Sequence, residues 1–342
     1  MPVALRTATQ CWNTGWLILL FAQALPAQRV HPPASGGWVD SSDRETVRQF
    51  YLSAYVPLQN FPMSWTGNLA AGKAGDTSTA YKYAVISLVN FFRSLAGVPP
   101  VIAIDLARSA KAQRAALMFA ANKMLSHAPP ANWIDYTLDG AEAARKSNIC
   151  LDTRLPNRPG CVETYIEDSD AANFAVGHRR WVLHPQTTRM GTGDIPPGDQ
   201  AHPFGANALW VGDAREDFGP RPATRHPFVS WPPPGYIPRQ LVFLRWSFSY
   251  PGADFNAAVV TLTRNGYPLR LNLQPVRLGF GENTLAWDVA RDTPAHAADV
   301  TTHITVSNVM INGAPYRFSY EVTTFDPAQA STSAKSHIAK SH

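Results

Sequence analysis

The chain is poor in charge. Of its 342 residues only 16% are Asp, Glu, Lys or Arg, and no run of Lys or Arg occurs. The formal net charge of +5 falls to +2 once Arg6, near the N-terminus, and Lys335 and Lys340, in the tail, are set aside. A nearly neutral core without a basic stripe argues against a nucleic-acid partner. Cysteine is scarce, with only Cys11, Cys150 and Cys161. The wide spacing of the last two, with no further Cys to join them, argues against a thiolate zinc site. Past residue 25 no apolar run is long enough to cross a bilayer, so no transmembrane segment is expected once the leader is gone. There is no G-x-S-x-G nucleophile elbow. A phosphate-cradling loop is missing too, because Gly279-Phe280-Gly281 lies between expected strands with no helix after it and reads as a turn.

What is abundant is apolar residues (45%), Pro (29), Gly (22) and Trp (10), the mix of an ordered, turn-rich extracellular protein. The length exceeds what one core usually organises, so two domains are expected. Gly15 to Leu25 (GWLILLFAQAL) is an apolar run of signal-peptide length, with Arg6 the only charge before it. Small residues place a cleavage site after Ala24 or Ala27. Residues 1–27 are therefore expected to be a signal peptide, and the mature protein secreted, extracellular or periplasmic. Cys11 leaves with that leader. Cys150 and Cys161 are then an even pair in an oxidising compartment and read as one disulfide, the alternative being two free thiols. Its short loop gives a gain of about 2–3 kcal/mol on the chain-entropy model.

Residues 28–78 read as an N-terminal extension, with a short helix over Thr46–Tyr55 and a Gly/Ala/Thr-rich linker over Asn68–Thr79. From Thr79, Tyr81, Val85, Leu88, Val89, Phe92 and Leu95 recur at three- and four-residue steps, which predicts a helix stopped by Gly97 and Pro99-Pro100. Asp105 is the expected N-cap of an Ala-rich helix over Leu106–Leu125, with Leu106, Ala110, Leu117, Ala120 and Met124 as its buried stripe. His127 follows its end. Shorter helices are expected over Asp139–Ser147 and Val162–Asp168, an ambiguous segment over Asn173–Leu183, and strands over Arg189–Gly193 and Ala208–Gly212. Trp231-Pro232-Pro233-Pro234-Gly235 is a stiff connector, and the domain boundary is set before it, at 225/226. Beyond it, alternating runs over Leu241–Ser249, Ala258–Arg264, Leu269–Leu273, Thr284–Val289, Thr301–Val306 and Arg317–Thr324 predict strands. Asn265-Gly266 and Asn312-Gly313 are hairpin signals. This pattern suggests an immunoglobulin-like sandwich over 226–327, followed by a polar tail, 328–342, expected to be disordered.

Val89-Asn90-Phe91-Phe92-Arg93, then Leu125-Ser126-His127, a Ser147-Asn148 segment, and Val176-Gly177-His178-Arg179-Arg180-Trp181 follow one another in the order seen in the CAP superfamily. The chain resembles the bacterial secreted branch of that family over about residues 80–213, and the sandwich resembles a partner domain found in some members. The resemblance implies an α+β chain: a CAP-like α-β-α sandwich over 79–225, then the all-β sandwich. It also implies a central cleft lined by two His and two acids. His127 and His178 match the two histidines. Lys146-Ser147-Asn148 stands where the family has Gly-Glu-Asn, so Asn148 is kept and Ser147 replaces the acid. The second acid falls at Glu167 or Asp168, with Asp168 favoured by Tyr165 three residues earlier. Glu142 is a further candidate by sequence proximity.

The expected ligand cleft is therefore His127, Asn148, Asp168 and His178. Neutral imidazoles are good zinc ligands, and His127, His178 and Asp168 would make an open three-ligand site for a divalent metal such as zinc. The competing reading is that both histidines are hydrogen-bonded and organise the floor of the cleft. Ser126 beside His127 is a weak nucleophile candidate, since adjacent residues at a helix end rarely face each other. Arg179-Arg180 reads as an anion site or, more simply, as a solvated face or ion pair. Trp181 reads as core, Trp133, Trp210 and Trp231 as cleft rim or domain interface, and His184 and His202 as surface or loop residues. Three functions follow: a ligand-binding or cell-envelope interaction module, with a lipid or envelope component as partner; a metal-dependent extracellular hydrolase; or a structural surface protein. Nothing in the sequence sets the oligomeric state.

Overall fold

A computed structural model describes residues 37–153, 159–212, 218–290 and 298–330. The expected signal peptide and nearly all of the polar tail lie outside them. Helix α1 (Arg44–Phe50) is capped by the Asp43 carboxylate, which accepts from the Thr46 amide. It runs on through a π-turn (Tyr51–Tyr55) and a 3-10 turn (Val56–Leu58). The segment expected to be a linker is ordered. Asn68 bridges Lys73, and the Trp65 indole donates to the Ala74 carbonyl at 2.7 Å.

Helix α2 (Thr79–Leu95) matches the periodicity, with every residue of the expected face buried. Helix α3 (Leu106–Asn122) has its Asp105 cap, but ends at Lys123, which turns left-handed (φ 53°). Its buried stripe is the expected one only in part. Leu117 and Ala120 are buried, but Leu106, Ala110 and Met124 are exposed, while Ser109, Ala112, Gln113, Ala116 and Phe119 are buried. The reason lies in what it packs against. Strands β1 (Ala103–Ile104), β2 (Ser147–Asp152), β3 (Arg189–Ile195) and β4 (Gly205–Trp210) form a sheet of order β1-β3-β4-β2, antiparallel except for β1 against β3. Gly193 on β3 lies so close to α3 that an added Cβ would sit 2.1 Å from backbone atoms of Ala112 and Gln113. Only small residues fit there. Gln113 fixes the contact, its side chain bonding both the amide and the carbonyl of Asp194 at 2.9 Å.

Helix α4 (Leu138–Lys146) packs beside α3 on this face and leads directly into β2, a strand that the sequence reading did not anticipate. Helices α2, α5 (Val162–Glu167) and α6 (Gly177–Val182) join the sheet's other core, with Cys150, Met190, Leu209 and Val211 facing them. Cys150 and Cys161 are bonded.

The remaining strands make two sheets. One, of order β10-β11-β7-β5, contains β5 (Val229–Trp231), β7 (Arg245–Ser249), β10 (Leu271–Leu273) and β11 (Thr284–Val289). The other, β6-β13-β12-β8-β9, contains β6 (Gly235–Pro238), β8 (Val259–Arg264), β9 (Tyr267–Pro268), β12 (Val300–Ile311) and β13 (Ala314–Phe325). The proline-rich connector thus carries the chain from one sheet to the other, with a cis bond at Trp231-Pro232. Asn312 and Gly313 both take positive φ (50° and 80°), the type I′ hairpin geometry that the dipeptide signals. The class is α+β, as expected.

The core does not break at 225/226. Phe92 of α2 meets Trp231 of β5 edge-on at 5.5 Å, within one apolar cluster that runs from Val39 to Phe325. Trp231 thus seals the helical half to the sandwich.

Candidate functional site

The best-formed side of the site is built where α5 gives way to α6. Asp168 ends α5 in the left-handed region (φ 45°) and is buried. One of its carboxylate oxygens lies 3.0 Å from His178 Nδ1, and the other accepts from the Arg179 amide at 3.2 Å. A carboxylate only accepts, so Nδ1 donates and the neutral ring keeps Nε2 as its acceptor. The Tyr165 ring lies 5.1 Å from that of His178. Asn148 at the start of β2 donates to the His178 carbonyl at 3.0 Å, tying the sheet to α6.

Arg179 and Arg180 are not a solvated face, and neither forms an ion pair among the described residues. Both are buried, and they spend their protons almost entirely on carbonyls. Arg179 donates to Ile166, Glu167 and Arg245 carbonyls and to the Ser247 hydroxyl. Arg180 donates to the carbonyls of Ala175, Arg277 and Glu282. Burial pulls both guanidiniums down to about 10. Arg245 completes the clamp, paired with Asp288 at 2.7 Å and donating to the Asp170 carbonyl at 2.8 Å. The α5–α6 corner is thereby bolted to the sandwich.

His127 stands differently. It follows α3 on an exposed loop, and Nδ1 donates to the Ala144 carbonyl at 2.8 Å. The neighbouring Ser126 hydroxyl accepts from the Ala128 amide at 3.0 Å, turned to its own loop. His127 and His178 nevertheless line one cleft of about 430 Å3, with Arg145, Ser147, Asn148, Trp181 and Phe280 among its walls. Ser147, where the family resemblance places an acid, is buried, and its hydroxyl has no hydrogen-bond partner among the described residues.

Asp168 does not line this cleft among its described walls; it stands behind His178 and orients it. Glu142 is engaged elsewhere, within 3.3 Å of Lys146 and bonded to Lys111. Among the described residues no three His, Cys, Asp or Glu side chains gather in metal-holding positions. The expected set of His127, His178 and Asp168 is therefore not assembled. Two imidazoles alone fall short of the three or four protein ligands of a zinc site.

Trp181, expected in the core, is half-buried and lines the cleft. His184, expected at the surface, is 5% exposed. Its ring lies 4.4 Å from that of Phe218, and burial, then Arg93 and Arg221, lowers it to about 4. His202 stays on a loop beside Asp199. Sequence reasoning missed Arg277 and Phe280, which reach the cleft from the loop between β10 and β11. Gly279-Phe280-Gly281 is the turn it was read as, with φ of 98° and 63° at the glycines, but it presents Phe280 to the cleft. Gly177 makes room for that ring: a Cβ there would lie 3.1 Å from it. No local signal marks this contact.

No protein-family model matches the chain, and no curated protein shows significant similarity to it.

Proposed function

We propose that this is a secreted CAP-like protein whose His127/His178 cleft holds a ligand, and that it acts as a ligand-binding or cell-envelope interaction module. The observation that carries the reading is that the two histidines, more than fifty positions apart in sequence, line one half-enclosed cavity of about 430 Å3 together with Asn148. That volume falls in the range of small-molecule sites. The order of layers, with α3 and α4 on one face of the first sheet and α2 and α5 on the other, supports the CAP-like α-β-α arrangement. The two sheets that follow support an immunoglobulin-like partner domain. The Cys150–Cys161 bond supports export. Among the described residues no helix is long and apolar enough to cross a membrane. A metal-dependent hydrolase gains no specific support, because Asp168 is spent on His178 and the Arg179 amide.

The test is native mass spectrometry of the full mature chain, followed by solvent extraction of what it releases. A retained small molecule is expected, and Ala172→Trp, which fills the cleft from an exposed position, is expected to lose it without losing the fold. A chain that carries nothing, and that no lipid or envelope fragment stabilises against heat, would end this reading.

A further inference from the structure

The charge around the cleft is one-sided among the described residues. Among the described residues its walls include Arg145, Lys146 and Arg277, with His127 and His178, and no carboxylate. Lys146 is already committed, 3.3 Å from Glu142 and 5.3 Å above the Trp210 ring. Arg145 and Arg277 are not: neither forms an ion pair among the described residues. Three acids among the described residues are taken, Glu282 by Arg221, Asp288 by Arg245 and Asp168 by His178. Arg145 comes from α4 and Arg277 from the sandwich, so the two guanidiniums reach the cavity from separate parts of the chain. Apolar surface stands beside them. Phe280 lies 5.3 Å under the Arg277 guanidinium, and Trp181, Ala175 and Val211 share the walls.

Two unspent guanidiniums at a partly enclosed hollow favour an anion, because a bidentate carboxylate or phosphate replaces water at both and the reduced dielectric strengthens the attraction. The ring and aliphatic surface favour an apolar portion on the same molecule. Resting on the reading of this cleft as a ligand site, we infer that its ligand is an anionic amphiphile, with its phosphate or carboxylate group held by Arg145 and Arg277 and its apolar part on Phe280 and Trp181. A second hollow of about 350 Å3 shares His127 and Arg145 and is walled also by Ala128, Pro129 and Glu142, so it leaves room for an uncharged extension of the ligand along α4.

The experiment is calorimetric titration of the full mature chain with three probes: dihexanoyl phosphatidylglycerol below its micelle concentration, dihexanoyl phosphatidylcholine, and inorganic phosphate. Phosphatidylglycerol is expected to bind, and Arg145→Glu with Arg277→Glu to weaken it at least about tenfold. Lys73→Glu with Lys123→Glu, an equal change of charge outside the cleft, is expected to leave it unchanged. Phosphate binding as tightly as the lipid, with the same arginine dependence, would overturn the amphiphile, since the apolar part would then add nothing; binding of the lipid with no comparable binding of phosphate supports it. Equal affinity for phosphatidylcholine would overturn the inference while leaving the cleft as a ligand site, and so would an equal loss in the lysine control. If none of the probes binds, the inference falls, and the molecule retained or lost in the Ala172→Trp comparison decides separately whether the cleft reading falls with it.

Discussion

His178 and His127 face the same cleft from walls built in different ways. The His178 wall is braced from behind: Asp168 holds the ring, Arg179 and Arg180 hold the backbone around it, and Arg245 holds the loop. All of these groups are buried, so each missing partner would leave a desolvated polar atom. The His127 wall has one hydrogen bond to Ala144 and lies in solvent. A buried network fixes geometry and makes change costly, whereas an exposed loop accepts change cheaply. The braced wall therefore sets the shape of the cleft, and the open wall sets its entrance.

Arg179→Met probes the bracing most severely. It strips the donors from three carbonyls and the Ser247 hydroxyl, and a loss of about 3–5 kcal/mol in denaturant unfolding is expected. Asp194 gives the same wall a pH dependence. It is fully buried behind Tyr165, linked to it through Asn207, and burial raises its carboxyl from 3.8 to about 6. Between those values the folded chain holds a proton that the unfolded chain has released. The stability this proton contributes is complete below about pH 4 and lost as pH rises through 6, on the order of 3 kcal/mol in all. Asp194→Asn is expected to flatten that part of the profile and to raise stability at neutral pH. If the variant's pH curve parallels the parent's between pH 4 and 7, the buried carboxyl is not what titrates.

Asp168→Ala comes next. It removes the acceptor from His178 Nδ1 and from the Arg179 amide, with an expected cost of about 2 kcal/mol. His127→Ala is the smallest, within about 0.5 kcal/mol by thermal melting, because the ring is exposed. Equal costs for these last two would erase the contrast between the walls.

Helix α2 was legible because its buried face obeys a 3.6-residue period and Gly97 and Pro99-Pro100 mark its end; the Ser78 cap at its start is seen only in the structure. The Ala-rich α3 was legible as a helix but only partly in its orientation, right at Leu117 and Ala120 and wrong at Leu106, Ala110 and Met124. Alanine gives no periodic contrast, and the face is chosen by the glycines of β3, which lie eighty positions away. The hairpin at Asn312-Gly313 was legible because its conformation is a local property of two residues. His127, Asn148 and His178 were identified from the order of short segments, and the structure places all three around one cleft. The fate of Arg179 and Arg180 was not legible, since their partners are backbone carbonyls, which every residue has. Phe280 and Arg277 were hidden for a related reason: a turn residue reveals nothing of which surface it will meet.

The claim that both walls close on one ligand is tested most directly by hydrogen exchange of the full mature chain with and without the molecule it retains. Protection is expected together in residues 126–128, 145–148, 172–181 and 277–280, and not in α1 or along the outer face of β13. Protection confined to one wall, or centred on the sandwich away from Phe280, would contradict it.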